Sequence, residues 1–345
     1  MPSAGLNLKL EMTAKPIAVV TGGAGFIGSH MVDLLLDEGF RVHVIDNLVG
    51  GRLENLEHRK GEPNLVVEVR DIRELAADDK LFAGAQYAFH FAGIGDIVPS
   101  IDRPVDYLST NVLGTVKVLE ATRHAKVQKL VYAASSSCYG LADVPTREDA
   151  AIRTEYPYAL SKYMGEESVL HWGKVYHLPV NSIRIFNAYG TRSKTSGAYG
   201  AVFGVFLAQK LAGKPFTVVG DGTQRRDFLF VTDLARAFYL AAKTERANEI
   251  FNLGAGNPQS VNRLVELLGG PVVRLPKRPG EPDCTWADIT KISRDLGWKQ
   301  LVTFEEGVAK MLANIDNWRQ APVWDPASIA EATKTWFAFL SGEKR

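Results

Sequence analysis

Tyr158 and Lys162 stand four residues apart in the segment YALSK. On a helix that spacing puts both side chains on one face. A free tyrosine has a pKa of about 10, too high for a base at neutral pH. A nearby ammonium stabilises the phenolate and brings it towards the range that general acid–base catalysis needs. A solvated helix face gives the same spacing, so the pair gains meaning from its surroundings. The run SSSCYG (135–140) follows an apolar stretch at 130–133. Its serines would therefore sit at the carboxyl edge of a sheet, where open α/β folds bind their ligands. A hydroxyl from that edge can share a proton between a substrate and Tyr158. Each serine taken singly could equally satisfy a turn.

A second constellation concerns a dinucleotide. The segment TGGAGFIG (21–28) joins an apolar run to a helical pattern. Glycine there permits positive φ, clears the approach to a pyrophosphate and lets helix and strand pack closely. The helix N-terminus then offers free N–H groups and its dipole to the phosphates. Asp46 ends the next apolar run, in VIDN, 18 residues after Gly28. A carboxylate at that place accepts from an adenosine ribose and repels a 2′-phosphate, which favours NAD over NADP. Arg52 downstream would soften that preference. Asp71 ends a third strand pattern, where it suits an adenine contact or an N-cap equally.

These residues need elements to hold them. Short β-branched runs at 17–21, 41–45, 65–69, 87–91, 129–133 and 180–186 alternate with helical patterns at 26–38, 108–124 and 159–177. Such alternation predicts a Rossmann-type, doubly wound parallel sheet with right-handed crossovers. After Asn187 the pattern changes. Residues 191–201 read as a loop, 202–212 as a helix and 216–219 as a short strand. Runs at 228–231 and 249–253 are expected to return to the first sheet. The predicted organisation is an α/β chain. Residues 16–186 plus about 228–257 form a cofactor domain. About 187–227 plus 258–330 form a smaller, interwoven C-terminal substrate domain. Residues 1–15 read as a loose leader and 331–345 as a tail. The stretch 324–345 suits a terminal helix and carries no site motif.

Composition narrows the function classes. The 345 residues are 46% hydrophobic and 23% charged, and the net charge is +1. That fits a globular enzyme and gives no global pull towards nucleic acid or an anionic membrane. No apolar run approaches the length of a membrane span. Two cysteines, Cys138 and Cys284, give neither a disulfide framework nor a CxxC pair, which suits a reducing cytoplasm. No HExxH pair occurs, and no metal is expected.

Taken together, TGGAGFIG, VIDN, HFAG (90–93), TNVLGT (110–115), SSSCYG, YALSK, RIFNAYG (184–190) and RRDFLFVTD (225–233) occur in one order over residues 16–315. In that order they resemble the extended short-chain dehydrogenase/reductase family. The nearest branch is the NAD-dependent nucleotide-sugar epimerases and dehydratases, above all the UDP-hexose 4-epimerases. The resemblance implies that Ser135 is the catalytic hydroxyl and Tyr158 the base. Lys162 would be the partner of Tyr158 and a ligand of the nicotinamide ribose. It implies NAD contacts at Gly22, Gly25, Phe26, Ile27, Gly28, Asp46, Asn47, Asp71, Ile72, Phe91, Ala92, Gly93 and Asn111, the last matching a structural asparagine. It assigns the substrate side to Ser136, Ser137, Asn187, Arg226, Arg278 and Glu281. Two arginines suit a diphosphate because each guanidinium forks onto two oxygens. Read without the resemblance, each would be a surface ion pair.

The resemblance also bears on the reaction. Dehydratases of the branch place Asp-Glu where this chain has Ser136-Ser137, and decarboxylases usually place a Glu there. The serines point to C4 epimerisation of a nucleotide-diphosphate sugar, by oxidation to a 4-keto sugar and return of the hydride to its other face. Thr285 matches a gate position at which a small residue admits N-acetyl sugars, so a UDP-hexose or a UDP-N-acetylhexosamine is expected. The alternatives are a UDP-glucuronate epimerase or decarboxylase, another dehydratase or reductase of the family, and a non-catalytic dinucleotide sensor. The sensors lack the Tyr–Lys pair that this chain keeps. Relatives commonly form homodimers by pairing two helices, here 105–124 and 159–177.

Overall fold

The computed structural model describes residues 15–193, 202–277 and 280–340. The leader and the end of the tail therefore lie outside it, as does most of the 191–201 loop. Seven strands build the main sheet. They are β1 (Ile17–Thr21), β2 (Arg41–Asp46), β3 (Leu65–Val69), β4 (Ala85–His90), β5 (Lys129–Ser135), β6 (Val180–Ile185) and, later in the chain, β11 (Glu249–Leu253). All pair in parallel, in the order β11-β6-β5-β4-β1-β2-β3. Ala18, Val19 and Val20 of β1 are fully buried, as a strand covered on both faces must be. The chain steps one way from β1 to β3 and the other way from β4 onward. This makes a crevice beyond the carboxyl ends of β1 and β4, the usual ligand position in such sheets.

Helices α1 (Phe26–Asp37) and α7 (Val231–Lys243) cover one face of the sheet. Helices α4 (Thr115–His124) and α5 (Pro157–Tyr176) cover the other. Two short helices, α2 (Val98–Asp102) and α3 (Pro104–Leu108), lead into α4. The helix expected over 108–124 is not regular: Ser109–Gly114 is a π-helical turn. Such turns expose local backbone geometry that a regular helix hides, and they recur at functional sites. Asn111 lies within this one.

The remaining strands form three pairs. Parallel pairs join β7 (Asn187–Tyr189) to β10 (Phe228–Phe230) and β8 (Phe216–Val219) to β13 (Val272–Leu275). An antiparallel pair joins β9 (Arg225–Arg226) to β12 (Gln259–Ser260). The run at 228–231 thus does not return to the main sheet, as its apolar pattern suggested; it pairs with β7, and only β11 rejoins. A second core gathers Phe203, Phe206, Phe216, Phe228, Phe304 and Trp318. It is framed by α6 (Val202–Leu211), α8 (Val261–Leu268) and α10 (Phe304–Ala313), while α9 (Thr290–Leu296) packs against α7 and β11.

Asp227 fastens the junction of the two cores. Its buried carboxylate accepts from the N–H groups of Ala255 (2.9 Å), Gly256 (3.2 Å), Asn257 (3.3 Å) and Ala287 (2.9 Å). Burial pushes its pKa up and these N–H groups hold it down. The last stretch is two helices, α11 (Pro326–Ala332) and α12 (Lys334–Leu340), where one was expected.

Candidate active site

The turn after β1 shows why glycine is needed there. Gly22 has φ 72°, and a Cβ on it would stand 2.6 Å from the Ala92 nitrogen. A Cβ on Gly28 would run into the Gly22 carbonyl, so the third glycine lets α1 close onto the strand. Gly25 is the N-cap of α1 and provides no side-chain cap. The first N–H groups of the helix are therefore left for an anion. Asp46, at the end of β2, accepts from Ala24 N (3.0 Å) and Leu48 N (2.8 Å). Burial raises its pKa against these bonds.

A cavity of about 630 Å³ opens beside this turn. Gly22, Gly25, Phe26, Ile27, Gly28, Asp46, Asn47, Ile72, Phe91, Ala92 and Gly93 line it. Asp71 does not. It caps the turn Ile72–Glu74, accepts from Asn47 Nδ2 (2.8 Å) and pairs with Arg73 (2.8 Å). Arg73 holds its carboxyl far below the ordinary range. Of its two readings the capping one describes what it touches. Asn111 is buried behind the wall. Its amide bonds the Ile94 N–H (2.8 Å), the Ile94 carbonyl (3.0 Å) and Ser161 Oγ (2.9 Å), tying the loop after β4 to α5.

A second cavity of about 490 Å³ shares Phe26, Ile27, Phe91, Gly93, Ile94 and Gly95 with the first. Ser135, Tyr158 and Lys162 line it at one side, and Asn187, Arg226 and Glu281 also line it. Ser135 is the last residue of β5, and its hydroxyl lies beside Tyr158, where it favours the ionised form. Burial raises the Tyr158 pKa, opposed by the Ser135 hydroxyl. Burial lowers the Lys162 pKa to about 7, opposed by the charge of Glu166. The protein alone thus disfavours both charged forms. The ammonium of Lys162 lies 4.3 Å from the centre of the Tyr132 ring.

Glu166 lies one turn beyond Lys162 on α5. It accepts from Arg184 Nε (3.0 Å) and Ser182 Oγ (2.7 Å) of β6. Arg184 also donates to Tyr139 Oη (2.7 Å), whose own hydroxyl donates to Asn252 (2.7 Å). This buried network ties the serine turn, α5 and two strands together behind the reactive groups.

The other expected substrate residues divide. Arg226 donates to Glu281 (2.7 Å) and to the Pro282 carbonyl (2.9 Å). Thr285 does not line the cavity; its hydroxyl donates to Asn187 Oδ1 (2.6 Å) and so fixes that amide from behind. A gate at that position would act through Asn187. Ser136 and Ser137 form the turn after Ser135 and also lie off the cavity wall. The Ser137 N–H donates to Ser135 Oγ (3.2 Å). Arg278 lies outside the described residues.

Sequence reasoning missed Ile94, Gly95, Phe186, Gln224 and Ile329, all of which line the second cavity. The HFAG motif pointed to the loop that carries Ile94 and Gly95. Nothing in the sequence marked Ile329. Among the described residues there is no metal-ligating cluster and no helix long and apolar enough to cross a membrane.

The crevice fits a dinucleotide: a turn that a Cβ would block, an uncapped helix N-terminus and a carboxylate at the end of β2. Comparison with known proteins agrees. A putative UDP-glucose 4-epimerase of Methanocaldococcus jannaschii is 34% identical over 309 residues, 87% of this chain and 97% of the relative. A UDP-N-acetylglucosamine 4-epimerase of Methanobrevibacter ruminantium, solved with UDP-N-acetylmuramic acid, superposes with a TM-score of 0.82 at 30% identity, covering 88% of this chain and 100% of that one. A UDP-glucuronic acid 4-epimerase of Bacillus cereus, solved with UDP-glucuronic acid and NAD, gives a TM-score of 0.81 at 29% identity, covering 87% and 99%. Residues 18–254 match the NAD dependent epimerase/dehydratase family, and this chain is a member of it.

Proposed function

We propose that this protein interconverts the C4 epimers of a nucleotide-diphosphate sugar, a UDP-hexose or UDP-N-acetylhexosamine, with NAD as its resident coenzyme. The observation that carries this reading is that Ser135, Tyr158 and Lys162 line one side of a cavity whose wall also holds Asn187, Arg226 and Glu281. The neighbouring Ser136 and Ser137 carry hydroxyls and no carboxylate. Those two positions supply no acid and base for loss of water. Relatives named as epimerases of UDP-glucose and UDP-glucuronate support the same reading.

The N–H groups at the start of α1 would hold the pyrophosphate of NAD, Asp46 its adenosine ribose and Lys162 its nicotinamide ribose. NAD bound there supplies a cationic ring and a site that accepts a hydride and gives it back. Tyr158 Oη takes the proton of the sugar 4-hydroxyl, with Ser135 Oγ holding the same oxygen. The Lys162 ammonium stabilises the phenolate. Asn187 donates its amide to the diphosphate, and Arg226 forks onto it. Glu281 accepts from the ribose of the substrate nucleotide. When the hydride returns to the other face of C4, Tyr158 gives the proton back, so the reaction is redox-neutral.

We also infer a homodimer in the cytoplasm. Val105, Leu113, Leu160 and Met164 are exposed apolar side chains on α3, the π-helical turn and α5. Neighbouring exposed apolar residues of this kind suit a partner's matching helices. Both cysteines are free.

The test is incubation of the purified protein with UDP-, GDP-, CDP- and dTDP-sugars, followed by separation of the products. The expected result is a C4 epimer of at least one UDP-sugar with no accumulation of free NADH. A dehydrated or decarboxylated product, or stoichiometric NADH, would overturn the proposal.

A further inference from the structure

The last two helices lie well beyond the family match, which ends at residue 254. They are not a loose tail. The Trp324 carbonyl accepts from Gln209 Nε2 (2.7 Å), which anchors the segment to the second lobe. Asp325 and Ser328 close a reciprocal capping box, with Pro326 at the first helical position. This fixes where α11 starts and how it is directed. The Thr333 hydroxyl donates to the Ile329 carbonyl (2.8 Å) at the bend into α12.

From this anchor the segment reaches the active site in three places. Ile329 is 5% exposed and lines the same cavity as Ser135 and Tyr158. Trp336 is 2% exposed, and its ring stands 5.7 Å from that of Tyr156. Tyr156 in turn stacks on Tyr158, with centroids 6.4 Å apart and planes within 6°. At its far end, the Leu340 carbonyl lies 3.8 Å from where a Gly280 Cβ would stand, beside Glu281. Helix α12 also packs on α2, which follows the loop of Gly93 and Ile94. The segment therefore bridges the cofactor side and the nucleotide side across the cleft.

We propose that α11 and α12 are part of the active site: Ile329 forms a wall of the sugar pocket and selects among sugars, and Trp336 clamps Tyr156 so that Tyr158 is held in its reactive position. This rests on the nucleotide-sugar reading above. Ile329 is an apolar contact, so it discriminates by the bulk and polarity of a sugar substituent and leaves the nucleotide untouched. Trp336 lines neither cavity. It is a positioning residue that acts through two stacked rings.

The experiment uses the full-length, NAD-loaded protein and the variants Ile329→Ala, Trp336→Ala and Trp336→Phe. Turnover is measured, with affinities for UDP, UDP-glucose and UDP-N-acetylglucosamine by calorimetry. Trp336→Ala is expected to lower kcat about ten- to a hundredfold, as a displaced catalytic group does, while KM, UDP affinity and bound NAD stay unchanged. Trp336→Phe should recover most of that loss. Where the alanine variant does not fold, Trp336→Leu keeps the apolar bulk without the indole, and undiminished kcat in it overturns the clamp. Ile329→Ala should shift the affinity ratio about tenfold towards the bulkier UDP-N-acetylglucosamine, with UDP affinity constant. Folded variants with unaltered kcat and an unaltered ratio would overturn the proposal. If the wild type binds these sugars and converts none, the epimerase reading has failed, and the affinity ratio for Ile329→Ala alone decides the part of this segment.

Discussion

Replacing Glu166 with Gln would keep its shape and remove its charge. Glu166 is 1% exposed and Arg184 3%. The variant therefore leaves a guanidinium that has no water to replace its partner. Breaking one side of a buried pair costs about 3–5 kcal/mol. At about 1.4 °C per kcal/mol for a chain of this length, Tm should fall by about 4–7 °C. The pair itself is not expected to be a net source of stability, because burying two charges costs about as much as their attraction returns. The double variant Glu166→Leu/Arg184→Met should therefore melt above either single variant. Tyr139 has a second partner in Asn252, which none of these variants removes. Catalysis should respond separately. The Glu166 charge raises the Lys162 pKa against burial, so its loss lowers that pKa further. Less ammonium then remains at neutral pH, and the alkaline limb of kcat should move to lower pH. Thermal melts of wild type, Glu166→Gln, Glu166→Leu, Arg184→Met and the double variant, with a pH profile of those that fold, read both effects. Single variants within about 1 kcal/mol of wild type, or a double variant as costly as the sum of the singles, would show that the buried charge is not left unpaired.

Other perturbations give equally direct outcomes. Tyr158→Phe should cut turnover at least about a hundredfold, the usual weight of an acid–base group, while NAD still co-purifies; retained activity would reject its role. Asp46→Ala should weaken NAD binding about ten- to a hundredfold, by loss of charged hydrogen bonds, and should narrow the gap to NADP in a coenzyme titration. His30 is held neutral, with its pKa lowered from 6.5 to about 4 by burial and by Arg192 and opposed by Asp33. The unfolded chain takes up that proton first, so the stability tied to His30 is complete above pH 6.5 and is lost as pH falls towards 4. Denaturant melts of His30→Gln should show a shallower acid dependence, by up to about 3 kcal/mol across that window.

Local constraints were the legible part of this molecule. The Gly22–Gly28 turn and the carboxylate at Asp46 leave a mark because backbone geometry there admits few residue types. Tyr158 and Lys162 were legible through helical spacing, and the parallel sheet through its apolar runs. Contacts chosen by tertiary packing were not. The apolar run at 228–231 has no property that tells pairing with Asn187–Tyr189 from return to the main sheet. Thr285 reads as a gate by position, yet its hydroxyl points at Asn187. Asp71 reads as a ligand or a cap, and the Arg73 pair and the capped N–H describe the cap. Ile329 and Trp336 read as ordinary apolar faces of a terminal helix, because nothing in their own segment says which cavity it crosses.

In the proposed reaction one hydride leaves C4 of the sugar and returns to the same carbon. Accepted UDP-sugar labelled with deuterium at C4 should give an epimer that keeps the label at C4, and the unlabelled sugar in deuterated water should gain none there. Loss of the label to solvent, or entry of solvent deuterium at C4, would contradict the account.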